Sequence, residues 1–424
     1  MKPSDISEIK KLYQDNLEKC GIDRISGCYV NGDKHIVTTF TQTFMLLPDE
    51  EQYKYLELFR KVLSGTRDKN LLLLEPRRVH ESADTRCDEV KLLQSLIDTE
   101  LKDEKVTDEF YQKVVENFSY LDNYLILIAH QNYDVPGKTQ DGIDMEDASE
   151  EVFRHILCAI CPVKLSKPGL GYVATEHMFR NLVLGRVVEL PMNGFLYPAF
   201  IERSADVDRV IYYTKDTVDI RPGFADAVLG SGTPLGAADQ KENFSSLISD
   251  TLGEDGDLTT ILGIQDSLRT LVAEKKVEEE SPVLDKKELG KLLRTNGLDE
   301  NKVKAMEELF DDSFRRSAAD EDNQIGNDTS AEDAAAEGGA VSEDMPGNVP
   351  ARGKYPEDVP VEERIFVASN LMSGRQLEVK NQDFSIKIKT SRTDLLETKI
   401  VDGMKCLVIH LEEGVTVNGI PVQF

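Results

Sequence analysis

The sequence predicts an α+β protein: a largely antiparallel sheet with helices, a helical subdomain, an acidic disordered linker and a small β-rich C-terminal module. Three observations predict it. Between residues 24 and 215, strand-length apolar runs are interleaved with helical periods. From Phe224 the apolar spacing turns helical. From Ser317 to Pro350 there are nine Asp or Glu, no Lys or Arg, and almost no large apolar side chain. Such a segment cannot bury enough surface to offset the entropy of ordering its backbone. The predicted divisions are therefore an α+β domain at 1–219, a helical subdomain at 220–316, a tether at 317–350 and a β module at 361–424.

Taken in order, residues 3–19 read as a short polar helix. Arg24–Val30 and His35–Thr43 are β-rich, and Asn31-Gly32 between them offers the positive φ angles of a tight hairpin. Pro48 suits the first turn of a helix whose apolar face is Tyr55, Leu56, Phe59, Val62 and Leu63. Asn70–Glu75 reads as a buried strand. Val90, Leu93, Ile97 and Leu101 mark one helix, and Phe110, Val114 and Phe118 the next. Tyr124–Ala129 is a dense aliphatic strand and Val152–Val163 a longer one. The polar stretch between them, Tyr133–Glu150, reads as an exposed excursion. Short strands follow near 171–174, 186–190, 195–201 and 209–213.

The helical stretch ends in a helix for which Asp299 is the N-cap, with Leu298 and Val303 as a hydrophobic staple. Beyond the tether, strands are expected at Arg364–Val367, Gln376–Lys380, Phe384–Lys389, Ile400-Val401, Cys406–Leu411 and Val415–Val417, with turns at Asp402-Gly403 and Asn418-Gly419. A module of this size is marginal alone, which implies docking.

The 424 residues carry a formal charge of −28, with −9 on the tether, −1 on residues 351–424 and −18 on residues 1–316. This balance repels phosphate backbones at long range and weighs against nucleic acid. The longest apolar run, Ile156–Val163, has eight residues, whereas a spanning helix needs about twenty. The N-terminus has no apolar core of a signal peptide, and six cysteines without a regular framework suit reduced thiols. A cytoplasmic protein with no membrane association is expected.

Four features could carry chemistry. Cys158 and Cys161 form a Cys-x-x-Cys pair, which exchanges disulfides at a helix N-terminus. Here they lie in a strand-like run, where residues three apart face opposite ways, so core packing is expected. With no second such pair, no metal and no cofactor are expected, although His155 would add a third ligand in a helix. His130 at a strand end, with Asp134 as its orienting carboxylate, has the composition of a catalytic base. No nucleophile accompanies it. Gly230–Gly236 is glycine-rich but matches no phosphate-loop spacing, and reads as a connector. Ser385, Lys387 and Lys389 alternate onto one strand face, with Arg392 and Lys399 nearby. These four cations are the candidate anion-binding surface, open to phosphates, an acidic partner or the tether itself.

Residues 1–316 resemble a bacterial family, domain of unknown function 4317. The likeness lies in Arg24–Val30, Tyr124–Pro136, Ile156–Leu165 and Asn193–Phe200. It implies kinship rather than a reaction. The order of elements is also remotely similar to the nucleoid-associated protein family, through Phe224–Gly230 and the β-rich end at Val415–Pro421. No residue role follows from that likeness. The expectation is a non-enzymatic interaction or nucleoid-associated-like protein, with a protein partner or self-association. The alternative is an enzyme around His130, Asp134, Cys158 and Cys161.

Overall fold

The first strand pair closes as a hairpin, though its turn works differently than expected. The computed structural model describes residues 2–314 and 364–421, apart from 15–16, 18–19, 80–84, 139–143, 167–168, 174, 176, 182–184, 234, 254–255, 373–375, 381–383, 412–415 and 418–419. The acidic stretch 317–350 and the Asn418-Gly419 turn thus lie outside the described residues. Helix α1 (Pro3–Leu12) precedes β1 (Ile22–Val30) and β2 (Ile36–Thr43). The left-handed residue of their turn is Lys34, at φ 60°, rather than Gly32. Asn31 shapes the turn with its side chain, whose Oδ1 accepts from the amides of Asp33 (3.1 Å) and His35 (2.8 Å). Gly32 is required for space: a Cβ there would lie 2.6 Å from the Leu121 carbonyl oxygen.

Helix α2 (Asp49–Val62) follows Pro48 with Asp49, Glu50 and Glu51 in its first turn, where negative charge complements the helix dipole. Then come β3 (Leu71–Leu74), α3 (Asp88–Asp98), α4 (Glu104–Asn117), β4 (Tyr124–Lys138) and β5 (Asp144–Leu165). The expected excursion at Tyr133–Glu150 is largely strand. Pairing of β4 with β5 continues past Tyr133↔Phe153 to Lys138↔Asp144. The long hairpin satisfies its backbone groups in its own ladder, so polar side chains do not prevent it. The unit is completed by β6 (Leu170–Val173), β7 (Met178–Asn181), β8 (Arg186–Val188), β9 (Asn193–Tyr197), β10 (Ala199–Ile201), β11 (Ser204–Asp206), β12 (Val210–Thr214) and α5 (Pro222–Leu229).

The main sheet is antiparallel in the order β2-β1-β4-β5-β9-β12-β3, with β8 paired to the end of β5. Both faces of its centre are covered. Ile126, Ile128, Ile156, Cys158, Ile160 and Phe195 share one core with residues of α3, α4 and α5. Leu125, Leu127, Ala129, Leu157, Ala159 and Cys161 share the other with α1 and α2. Burial on both faces is why these strands read as unbroken aliphatic runs. Gly194 lets β9 approach closely, since a Cβ there would meet the Cys158 carbonyl oxygen at 2.4 Å.

The chain divides into two compact units, which among the described residues are 2–237 and 238–314 with 364–421. The apolar spacing puts the start of the helical subdomain at 220. Phe224, Ala225, Val228 and Leu229 of α5 instead lie in a core of the first unit, where α5 turns its apolar face to Phe118 and Tyr212. The second unit contains α6 (Ala237–Leu252), α7 (Leu258–Val277), β13 (Val283–Leu284), α8 (Lys286–Thr295) and α9 (Glu300–Leu309). Next are β14 (Phe366–Val367) and α10 (Ala368–Leu371), then the strands β15 (Gln376–Lys380), β16 (Ser385–Lys389), β17 (Leu396–Val401), β18 (Met404–Ile409), β19 (Thr416–Val417) and β20 (Ile420–Pro421). The start of the expected C-terminal module is built into the helical core: Phe366 packs on Phe244, Phe310 and Phe314, and β14 pairs with β13. Asp299 caps α9 as expected, accepting from the Lys302 amide at 2.8 Å, and Val303 is buried with Leu298 against it.

Candidate functional site

The polar end of the β1–β4 pair gathers ionisable groups around a buried histidine. Strand β1 carries an extra residue there: Ile22 pairs with Gln131 and Arg24 with His130, leaving Asp23 as a bulge. A bulge re-aims a side chain. The Asp23 carboxylate consequently meets His130 Nδ1 at 3.1 Å and accepts from Asn132 Nδ2 at 2.6 Å. The carboxylate beside His130 is thus Asp23 rather than Asp134, which is exposed four residues along β4. Residues four apart in a strand are separated by about 13 Å, too far for a hydrogen bond.

The α3–α4 connection lies over this end, and its Glu100 and Leu101 both take left-handed backbone angles, φ 51° and 56°. Lys102 ion-pairs with Glu100 and holds its carboxyl below the usual carboxylate range. Burial pushes the His130 imidazole below its ordinary pKa, against the opposing pull of Asp23 and Glu100, so the ring is neutral near pH 7. A neutral imidazole fixed at Nδ1 by a carboxylate has the electronic form of a general base. Its Nε2, however, is buried without a hydrogen-bond partner, so it presents no atom to a solvent-borne substrate.

The thiols are placed as the strand period implies. Cys158 faces the core under α3 and α4, and Cys161 the core under α1 and α2. Burial pushes both thiols up, so neither is a nucleophile at neutral pH. His155 lies on the Cys161 side of β5, stacked on Phe153 at 4.5 Å with Nε2 2.9 Å from the Tyr13 hydroxyl. Burial lowers its pKa to about 3. Among the described residues no group of three His, Cys, Asp or Glu is placed to hold a metal ion. The glycine-rich connector is anchored to the end of β3: Gly230 caps α5 at φ 68°, and Ser231 Oγ donates to the Glu75 carbonyl at 2.9 Å.

The candidate basic surface forms with the predicted alternation, but acids are interleaved with it. On the β15–β16 ribbon, Ser385, Lys387 and Lys389 are exposed while Ile386 and Ile388 turn to the half-covered face. Lys387 lies 3.8 Å from Glu378 across the ribbon, Arg392 3.2 Å from Asp394, and Lys399 2.7 Å from Glu397. Lys389 stands opposite Gln376. The four cations therefore share their potential with three carboxylates, Glu378, Asp394 and Glu397.

Asp23 and Glu100 escaped the sequence reading because neither is near His130 in the chain. The one local signal is an aspartate between Ile22 and the β-rich run that starts at Arg24, a residue type depleted in strands. No helix among the described residues is long and apolar enough to cross a membrane. No curated protein matches the chain. A family model does: the chain belongs to the family described as Domain of unknown function (DUF4317), matched over residues 1–330 and 349–420. The match reaches past residue 316 and takes in the C-terminal ribbons.

Proposed function

We propose that this DUF4317 member is a non-enzymatic interaction protein of the cytoplasm, and that its C-terminal ribbons take a protein partner. The observation that carries the reading is the state of the β17–β18 ribbon. It pairs with no further strand among the described residues, and Ile400 (74%), Met404 (66%) and Val401 (47%) are exposed at its end. A two-stranded ribbon is marginal in water by itself, and a cluster of exposed apolar side chains is the signature of a binding surface. The carboxylates beside Lys387, Arg392 and Lys399 blunt any attraction for phosphate, which favours a protein over nucleic acid. Six free cysteines suit a reducing compartment. The burial of His130 Nε2 and of both thiols supports a non-enzymatic reading.

The test is affinity capture from the native cell with the full chain and with Ile400→Asp/Met404→Asp, each with and without nuclease. Proteins held by the wild-type chain should be lost from the variant and should survive nuclease. An identical set on both chains overturns the assignment of the surface. Loss on nuclease treatment returns the nucleoid-type reading. That reading has its own mark, a log–log salt slope of about −0.9 for each phosphate contacted.

A further inference from the structure

The main sheet finishes differently at its two edges. At one edge β3 is four leucines long, with three of them buried. At the other, β2 runs for eight residues, is mostly exposed, and has β1 as its sole strand partner among the described residues. One row of its backbone N–H and C=O groups therefore lacks a ladder. Exposed edges are ordinarily protected by lysine, proline, a bulge or a covering segment. Ile36–Thr43 reads Ile-Val-Thr-Thr-Phe-Thr-Gln-Thr, with neither charge nor proline. The register shift at Val37 leaves Thr38–Thr43 regular. The strand is also held firmly. Phe40 lies over Gly27, where a Cβ would come within 2.3 Å of its ring. Tyr111 donates to Ser26 Oγ at 2.7 Å, and Ser26 Oγ reaches the Phe40 carbonyl at 3.1 Å.

We propose that β2 pairs antiparallel with β2 of a second copy, joining the two main sheets across a twofold axis. Self-complementarity singles out a second copy as the occupant. An uncharged strand in a chain of net charge −28 is the place where two copies meet without opposing like charges. Antiparallel pairing brings exposed Val37 (56%) of each copy toward exposed Met45 (54%) and Leu46 (84%) of the other. It also directs Lys34 of each toward the end of the other strand that leads into Asp49, Glu50 and Glu51. Threonines facing one another across such a ladder form favourable cross-strand pairs. This surface is separate from the ribbon surface proposed above and stands whether or not that one binds.

The experiment is sedimentation velocity of the full chain over a range of concentrations, against Thr38→Lys/Thr39→Lys. Both residues are exposed and lie outside the cores, so the variant should keep the wild-type melting curve. The wild-type chain should reach twice the monomer mass, and the variant should need about tenfold or more higher concentration to do so. Hydrogen exchange of the outward-facing amides among residues 38–43, those not bonded to β1, should slow as wild-type concentration rises and stay fast in the variant. A chain monomeric at every concentration overturns the proposal, as does a dimer indifferent to the lysines. Slowing of these amides only on addition of a foreign strand peptide would overturn self-pairing and give the edge to another protein.

Discussion

Strands β5 and β16 are both paired antiparallel, yet their surroundings are opposite. In β5 every residue from Ile156 to Cys161 is buried, alternately in one core and the other. In β16 the five residues alternate between exposed and half-exposed. Backbone hydrogen bonds exchange water for protein partners at a modest net gain, whereas burying a large apolar side chain contributes about 1.5–3 kcal/mol. The difference teaches that a ladder sets the register of these strands while coverage of their faces sets their stability.

The largest effect that would break this comparison comes from truncation to alanine in the two places. Phe195 is fully buried against Phe110, with ring centroids 6.1 Å apart. Phe195→Ala should cost about 3–5 kcal/mol in urea unfolding of the full chain. Ile388→Ala, on the half-covered ribbon face, should cost less than about 1 kcal/mol. Similar costs would mean that the ribbon is as well packed as the sheet.

Acid should separate the two regions next. His155 has its pKa lowered to about 3 by burial in the sheet, and His130 is lowered in the same direction by burial. Below the ordinary histidine value of about 6.5 the unfolded chain takes up protons that these folded rings refuse, so stability falls as pH falls. His155 alone should remove on the order of 2 kcal/mol between pH 6.5 and 4.5, stability that is fully present well above pH 6.5. Tyr13→Phe/His155→Phe removes the ring together with its hydroxyl partner and should flatten the pH slope by about one proton. An unchanged slope would show that the ring is protonated in the fold.

Helix caps give a smaller effect and show what was readable in the chain. Asp299 was legible because a capping aspartate and its staple are local patterns, and Asp299→Ala should cost about 1 kcal/mol by thermal melting. Asp257 and Asp285 cap α7 and α8 in the same way, accepting from the amides of Thr260 and Glu288 at 2.6 and 2.7 Å. The α+β class and the central strands were legible for a similar reason: Tyr124–Ala129 and Ile156–Val163 are unbroken apolar runs because both their faces are covered. What depended on register was not legible. Tyr133–Glu150 looks like a loop by composition, since its pairing is a property of two strands together. Asp23 reaches His130 only because β1 gains one residue against β4, which put the carboxylate at 23 rather than 134. The carboxylates that offset the basic surface were equally hidden for Glu378, which comes from the facing strand of the ribbon.

The smallest expected change in stability is the most discriminating for function. Ile400 is 74% exposed, so Ile400→Asp removes almost no buried surface and should alter stability by less than about 0.5 kcal/mol. If the ribbon is a binding surface, the same substitution should abolish capture of its partner, because an unpaired charge would have to be desolvated on docking. On that proposal stability and binding respond in opposite proportion in the two regions: truncation in the sheet destabilises the protein, while a charge on the ribbon leaves it folded but without the ribbon's partner. A large stability loss from Ile400→Asp would place this residue in a packed environment of the free chain and take away the reason for a partner.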